Sequence, residues 1–214
     1  MTFKSLIPTK APRLPAATKE YEQTSTDAFM RVLNLYFAQL DNALFGLLGR
    51  LGGKYLSNPY GGFSNSTTQA VTAANTTYVV SLNTTDAANG ITLATNKMTV
   101  AQAGIYNVHY CLQFENTSAQ ITEVFVWLRK NGVDVPKSAS SWSVTSTHAS
   151  VNGYMLGTAN FFVELAASDY LEVAVAASAT GLNIEAYAAS VSPFTRPSIP
   201  SSVVTVSFVS APAS

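Results

Sequence analysis

The segment Gly104-Ile105-Tyr106-Asn107-Val108-His109-Tyr110-Cys111-Leu112-Gln113-Phe114 alternates strictly. In an extended chain Tyr106, Val108, Tyr110, Leu112 and Phe114 share one face. Asn107, His109, Cys111 and Gln113 share the other. A period of two over this length is the mark of a half-buried strand. The same period returns where Val124, Val126 and Leu128 alternate with Phe125, Trp127 and Arg129. Further β-favouring runs follow at 161–165, 171–175 and 203–208. Asn131-Gly132 is a strong two-residue hairpin signal, and Asn89-Gly90 and Asn152-Gly153 are similar. Short strands with regular turns, no intervening helix and no internal repeat predict a mainly β head over 67–214, an antiparallel sandwich of jelly-roll type.

Ahead of the head the pattern changes. Residues 53–66 are rich in Gly, Asn, Pro and Ser and are read as a linker. Residues 25–52 predict the one helix. Thr24-Ser25-Thr26-Asp27 offers N-caps and an acidic first turn, and Gly52-Gly53 supplies the stop. Phe29, Leu33, Tyr36, Leu40, Leu44, Leu47 and Leu51 recur at steps of three and four, the spacing of a coiled-coil seam with one stutter. Met30, Val32, Leu35, Phe37, Phe45 and Leu48 widen the apolar set beyond one seam. Such a helix is expected to be covered on more than one face, by self-association and docking in preference to packing on its own domain. Residues 1–24 predict an extended arm, because Pro8, Pro12 and Pro15 break helices. Phe3, Ile7, Arg13 and Leu14 are its expected docking residues.

Composition narrows the class. Charged residues are 11% of the 214, against about 25% in an average soluble protein. Thr, Ser, Asn and Ala replace them, as on extracellular and virion β proteins. The net charge is zero, but residues 1–54 hold seven basic side chains against four acidic ones, so this part carries +3. That is enough to favour an acidic docking surface and too dispersed for nucleic acid. Cys111 is the single cysteine, so no intrachain disulfide exists and a cytosolic assembly compartment fits. The N-terminus lacks an apolar signal region, the expectation being that nothing is cleaved, and no run is long enough to span a membrane.

Little points to chemistry. His109 and Cys111 lie on one strand face, but mid-strand, with no helix N-terminus or Gly-rich elbow to activate a thiol. His148 stands alone. Their spacing does not suit a metal. Asp86, Asp134 and Asp169 fall near turns without forming the oxygen cluster calcium needs. Gly53-Lys54 is not a phosphate loop, because Leu48 and Tyr55 stand where Gly and Ser/Thr are required. Glu164, Asp169 and Glu172 flank a hairpin at 165–171 and read as a solvated edge, not a glycosidase pair. Glycosylation sequons begin at Asn65, Asn75, Asn83 and Asn116, and go unused without a signal peptide. No cofactor and no metal is expected.

Residues 91–210 resemble the trimeric jelly-roll head of the complement first-component and tumour-necrosis-factor superfamily. Asn96-Lys97-Met98-Thr99-Val100 leading to Gly104-Ile105-Tyr106 is similar to its strand entry. The strand ending in Asn131-Gly132, the segment Leu165–Val173 with Asp169, and the closing run at 204–208 are similar to later elements. Met98 stands where an aromatic is usual, Ser168 replaces a Gly, and no collagen-like stalk precedes the head. The stretch 27–42 resembles the opening segment of small virion proteins of short-tailed phages. Together these imply a non-enzymatic homotrimer on the exterior of a virion, assembled in the host cytoplasm. Capsid decoration, cement or head-fibre service is the first expectation, with the major capsid protein or another virion component as partner. A receptor-binding fibre tip, with a host surface glycan or protein as ligand and the Trp142-bearing loop 134–150 as contact, is the second. A surface-glycan hydrolase is the third and least favoured.

Overall fold

The computed structural model describes residues 12–14, 22–48 and 58–211. Phe3, Ile7 and Leu51, the predicted helix stop and the side chain of Leu47 lie outside the described residues. The chain divides into two units, 1–57 and 58–214.

The first unit carries α1, Gln23–Leu48. It starts two residues before the predicted position 25, so Thr24, Ser25, Thr26 and Asp27 lie inside the helix and its first turn holds no acid. The first turn is closed instead on Glu22. Its carbonyl accepts the Thr26 N–H at 3.1 Å and the Thr26 hydroxyl at 3.2 Å. Side-chain bonding back to the carbonyl four residues earlier lets a hydroxyl residue sit within a helix, where it gives up its capping role.

The second unit is an antiparallel, jelly-roll-like sandwich of two seven-stranded sheets. Its strands are β1 Tyr60–Asn65, β2 Gln69–Ala70, β3 Tyr78–Val79, β4 Thr84–Asn89, β5 Ile91–Ala94, β6 Lys97–Val100 and β7 Gly104–Asn116. They continue as β8 Thr122–Lys130, β9 Val133–Asp134, β10 Ser140–Val144, β11 Gly153–Leu165, β12 Tyr170–Ala177, β13 Leu182–Ile184 and β14 Ser202–Ser210. β7 organises the first sheet. One edge pairs with β11 over its whole length. The other pairs first with β14 and then, past Leu112, with β13. From β14 the sheet extends to β1 and β4, and from β13 to β2. The second sheet runs β10-β8-β12-β6-β5, with β3 beside β12 and β9 beside β8.

The alternation of β7 is realised. Tyr106, Val108, Tyr110, Leu112 and Phe114 are each at most 1% exposed, and face Val124, Val126, Leu128, Leu171, Val173 and Val175 in one core cluster. Residues 60–65, read as linker, form a strand inside the first sheet. Phe63, 0% exposed, is one of the core side chains, and the burial of β1 alternates. Gly61 and Gly62 disguised it, since they bring no side chain to the pattern. A Cβ at Gly61 would collide with the Phe63 ring.

Turn chemistry sorts differently from the dipeptides. Asn131-Gly132 does close the β8–β9 hairpin, both residues at positive φ. Gly90 and Gly153 instead sit where the chain passes from one sheet to the other. The unanticipated hairpin is β5–β6, turned by Thr95 and Asn96 at φ +51° and +65°. Asn tolerates this region, and Asn96 Oδ1 accepts the Leu82 N–H at 3.0 Å, which holds it there. The 165–171 segment, read as a hairpin, joins β11 of one sheet to β12 of the other.

Gly104 and Tyr106 meet on one ring. Tyr106 packs edge-on against Phe208 at 5.6 Å. A Cβ at Gly104 would overlap that ring and stand 2.9 Å from the Ser210 carbonyl oxygen. Gly104→Ala is therefore expected to lower stability by about 1–3 kcal/mol through overpacking, seen as an earlier urea midpoint with an unchanged slope.

Candidate functional site: uncovered apolar faces and the loop locks

On α1 the seam residues Phe29, Leu33, Tyr36 and Leu40 are only half-buried, and Leu44 is exposed. Met30, Leu35 and Phe37 are more than half exposed, and Phe45 is 80% exposed. Arg13 is exposed and Leu14 nearly half so. Large side chains on two sides of one helix are thus open to solvent.

A second apolar face lies on the sandwich. β11 pairs only with β7, so among the described residues its outer edge is unpaired. Its outward side chains include Tyr154, Leu156 and Phe162, each at least half exposed. They stand opposite Glu115, Gln113 and Asn107 of β7. A thirteen-residue edge strand with exposed aromatics is a ready template for association. The alternation Tyr154-Leu156 was readable in sequence, but its position at an edge was not. Beside the same strand an open groove of about 360 Å³ is lined by Val133, Val135, Pro136 and Phe162, with Lys130 and Glu164 among its polar walls.

The predicted motif residues Asn131, Gly132 and Asp169 come together at one end of the sandwich, and their work is structural. Asn131 Nδ2 donates to Asp169 Oδ1 at 2.6 Å, and Asn131 Oδ1 accepts the Tyr170 N–H at 2.9 Å. Asp169 Oδ2 accepts the Ala166 N–H at 2.8 Å and pairs with Lys130 Nζ at 3.4 Å. This ties the β8–β9 turn to the inter-sheet turn, in which Ser168 adopts φ +71°. The hydrogen bond from Asn131, assisted by the Ala166 N–H and by Lys130, lowers the Asp169 carboxyl below its ordinary range despite partial burial. Asp134 is likewise engaged, accepting Trp127 Nε1 at 2.8 Å and pairing with Arg129 at 3.2 Å.

His109 and Cys111 do share the outer face of β7, beside β11. His109 Nε2 lies 2.9 Å from the Thr158 hydroxyl. Burial raises the Cys111 thiol above its usual value, the direction opposite to activation. Among the described residues no group of three or more His, Cys, Asp or Glu could hold a metal ion. No described helix is long and apolar enough to cross a membrane. Trp142, expected on a contact loop, is in β10 and packs its indole against Tyr110 and Phe114. It carries an inward step of a strand, not a loop tip. Of the strand aromatics, Phe161 turns inward onto Tyr110, while Phe125 and Tyr154 face out.

No family profile matches the chain, and no curated protein matches it.

Because the Asp169 pKa is lowered in the folded chain, its stabilisation is present above the unfolded value, about pH 4, and fades as pH falls through the lower folded value. Asp169→Ala is expected to cost about 1 kcal/mol near neutrality. Its thermal midpoint should converge on that of the parent protein below about pH 4.

Proposed function

We propose that the chain is a non-enzymatic structural protein that works as a homotrimer on the exterior of a virion, with a tumour-necrosis-factor-like head and an anchor made of arm and helix. The uncovered apolar surface carries this reading. α1 exposes Met30, Leu35, Phe37, Leu44 and Phe45, and the sandwich exposes Tyr154, Leu156 and Phe162 along an unpaired edge. A chain with 11% charged residues has few means of keeping such faces soluble. Burial against copies of itself and against a host particle answers both, at about 25 cal/mol per Å² removed from water.

The division of labour follows from the two units. The Leu33–Leu40 side of α1 pairs with its copies, and its remaining apolar side, with the arm, docks on the major capsid protein or another virion component. Each anchor contributes modest affinity, and three on one trimer multiply avidity without new contacts. Capsid decoration, cement or head-fibre service is the preferred form of this reading. The fibre-tip reading draws on a different observation, the exposed Val191 and Phe194 in the loop between β13 and β14. There a host surface glycan or protein would be the ligand.

Leu40→Asp with Leu44→Asp is expected to reduce the mass seen by light scattering to that of one chain, or to abolish particle binding, while the head still melts cooperatively. Unchanged mass together with normal particle binding would remove the helix from the anchor. On a glycan array, decoration predicts no specific adsorption by the isolated trimer, whereas selective adsorption favours the tip.

A further inference from the structure

The free edges of the two sheets are guarded unequally. β5 is four residues long and β10 five. β2, β3 and β9 have two residues each. β4, of six, carries Asp86, and its pairing with β1 is interrupted by a register shift between Gly62 and Phe63. Shortness, charge and a bulge are the means by which proteins keep edges from pairing. β11 lacks all three. It runs thirteen residues in unbroken register with β7, and from Gly153 to Val163 it holds no charge and no proline. Its inward side chains Met155, Ala159 and Phe161 are only partly buried, so the core is open along this edge.

The backbone groups at the edge have a fixed phase. The Gln113 N–H donates to the Ser201 carbonyl at 2.9 Å, and the Gln113 carbonyl accepts the Glu185 N–H at 2.7 Å, so both groups turn away from β11. Alternation of the antiparallel ladder then turns the backbone of Leu156, which stands opposite Gln113, to the free edge. By the same alternation Tyr154, Thr158, Asn160, Phe162 and Glu164 present their N–H and C=O groups there. The exposed Lys130 ammonium donates to the Glu164 carbonyl at 3.4 Å, at the end of the row.

The sequence of this edge is its own complement. With two copies antiparallel about Ala159, each of these residues meets another of them, donor to acceptor. Leu156 lies against the partner's Phe162, apolar on apolar. Thr158 lies against the partner's Asn160, two hydrogen-bonding side chains, and Tyr154 against the partner's Glu164, hydroxyl against carboxylate. On the inner side Gly157 stands opposite the partner's Phe161 and leaves it room. Matched cross-strand pairs are what stabilise a sheet. A slip of two residues either way would set Leu156 against Asn160 or Glu164 and lose the match.

We propose that the occupant of this edge is a second copy of the chain, the two β11 strands pairing about a two-fold axis at Ala159 so that two heads share one continuous sheet. The pairing uses no residue of α1 and goes beyond the trimer: copies joined in threes by their helices would be linked edge to edge into a net. One strand pair is small beside the standard interface of about 1,600 Å², so lone heads separate in dilute solution and trimers hold by avidity.

Single-cysteine trapping on the full chain tests the pairing. Cys111→Ser is included throughout, because Cys111 stands opposite Thr158 on β7. At high protein concentration with diamide, Ala159→Cys is expected to give about tenfold more covalent dimer than Thr158→Cys. The axis sets the two 159 Cα atoms about 4.5 Å apart, within disulfide reach, and the two 158 atoms at about 7 Å, outside it. In the Ala159→Cys chain, Leu156→Lys should abolish the dimer, and adding Phe162→Glu should restore it, since these two positions meet only across the pair. Both are exposed, and an unchanged thermal midpoint checks that the head still folds. The same pattern is expected with Leu40→Asp and Leu44→Asp added, which separates the head pair from the helix trimer. Trapping at 159 no greater than at 158, no recovery with Phe162→Glu, or loss of the cross-link in the helix variant overturns the proposal.

Discussion

The fold depends on β7. Eleven residues of strict alternation, 104–114, place five large side chains in the core, and both backbone edges are spent on neighbours distant in sequence. Every other piece of the first sheet is located by reference to it, since β11, β14 and β13 pair with it directly. A one-residue slip would turn Tyr106, Tyr110 and Phe114 to solvent and bring His109 and Gln113 inside. The burial of those rings is therefore what sets the register, and the register sets which side chains stand on the outer face. Tyr154, Leu156, Phe162, Glu115 and Cys111 are all there as a consequence.

That outer face is uneven. Along β11 it is apolar and open, the property on which the assembly proposal rests. At the far end of β7 it is polar, with Glu115 only 8% exposed and accepting a hydrogen bond from Asn152. Elsewhere in the head, Asp169 is held by an amide donor, a backbone N–H and a lysine. Asp169 and Glu185 are thus shifted in opposite directions, the first lowered chiefly by its hydrogen bond from Asn131 and the second raised chiefly by burial. A chain with so few charges concentrates its pH response in a small number of places.

The residues of the family-like motifs prove to be structural. Gly104 clears space for Phe208, Tyr106 packs on that ring, and Asn131 with Asp169 locks two turns together. They account for how the head folds and leave any ligand to other surfaces. Proteins that share such an architecture are free to differ in what their loops and edges touch.

What was legible in the sequence was whatever depends on nearest neighbours along the chain. The β7 period, the Asn131-Gly132 turn and the apolar spacing from Phe29 to Leu40 are all local patterns, and a local pattern specifies an element. β1 escaped because Gly61 and Gly62 leave no side chain to show a period, although Phe63 is central to the core. Asn89-Gly90 and Asn152-Gly153 read as hairpins because a dipeptide reports backbone curvature and not which sheet receives the next strand. The edge position of β11 and the inward turn of Trp142 were decided only by tertiary structure. Each follows from which strands pair, and pairing is settled by the summed burial of a whole core, a quantity that no single stretch of sequence contains.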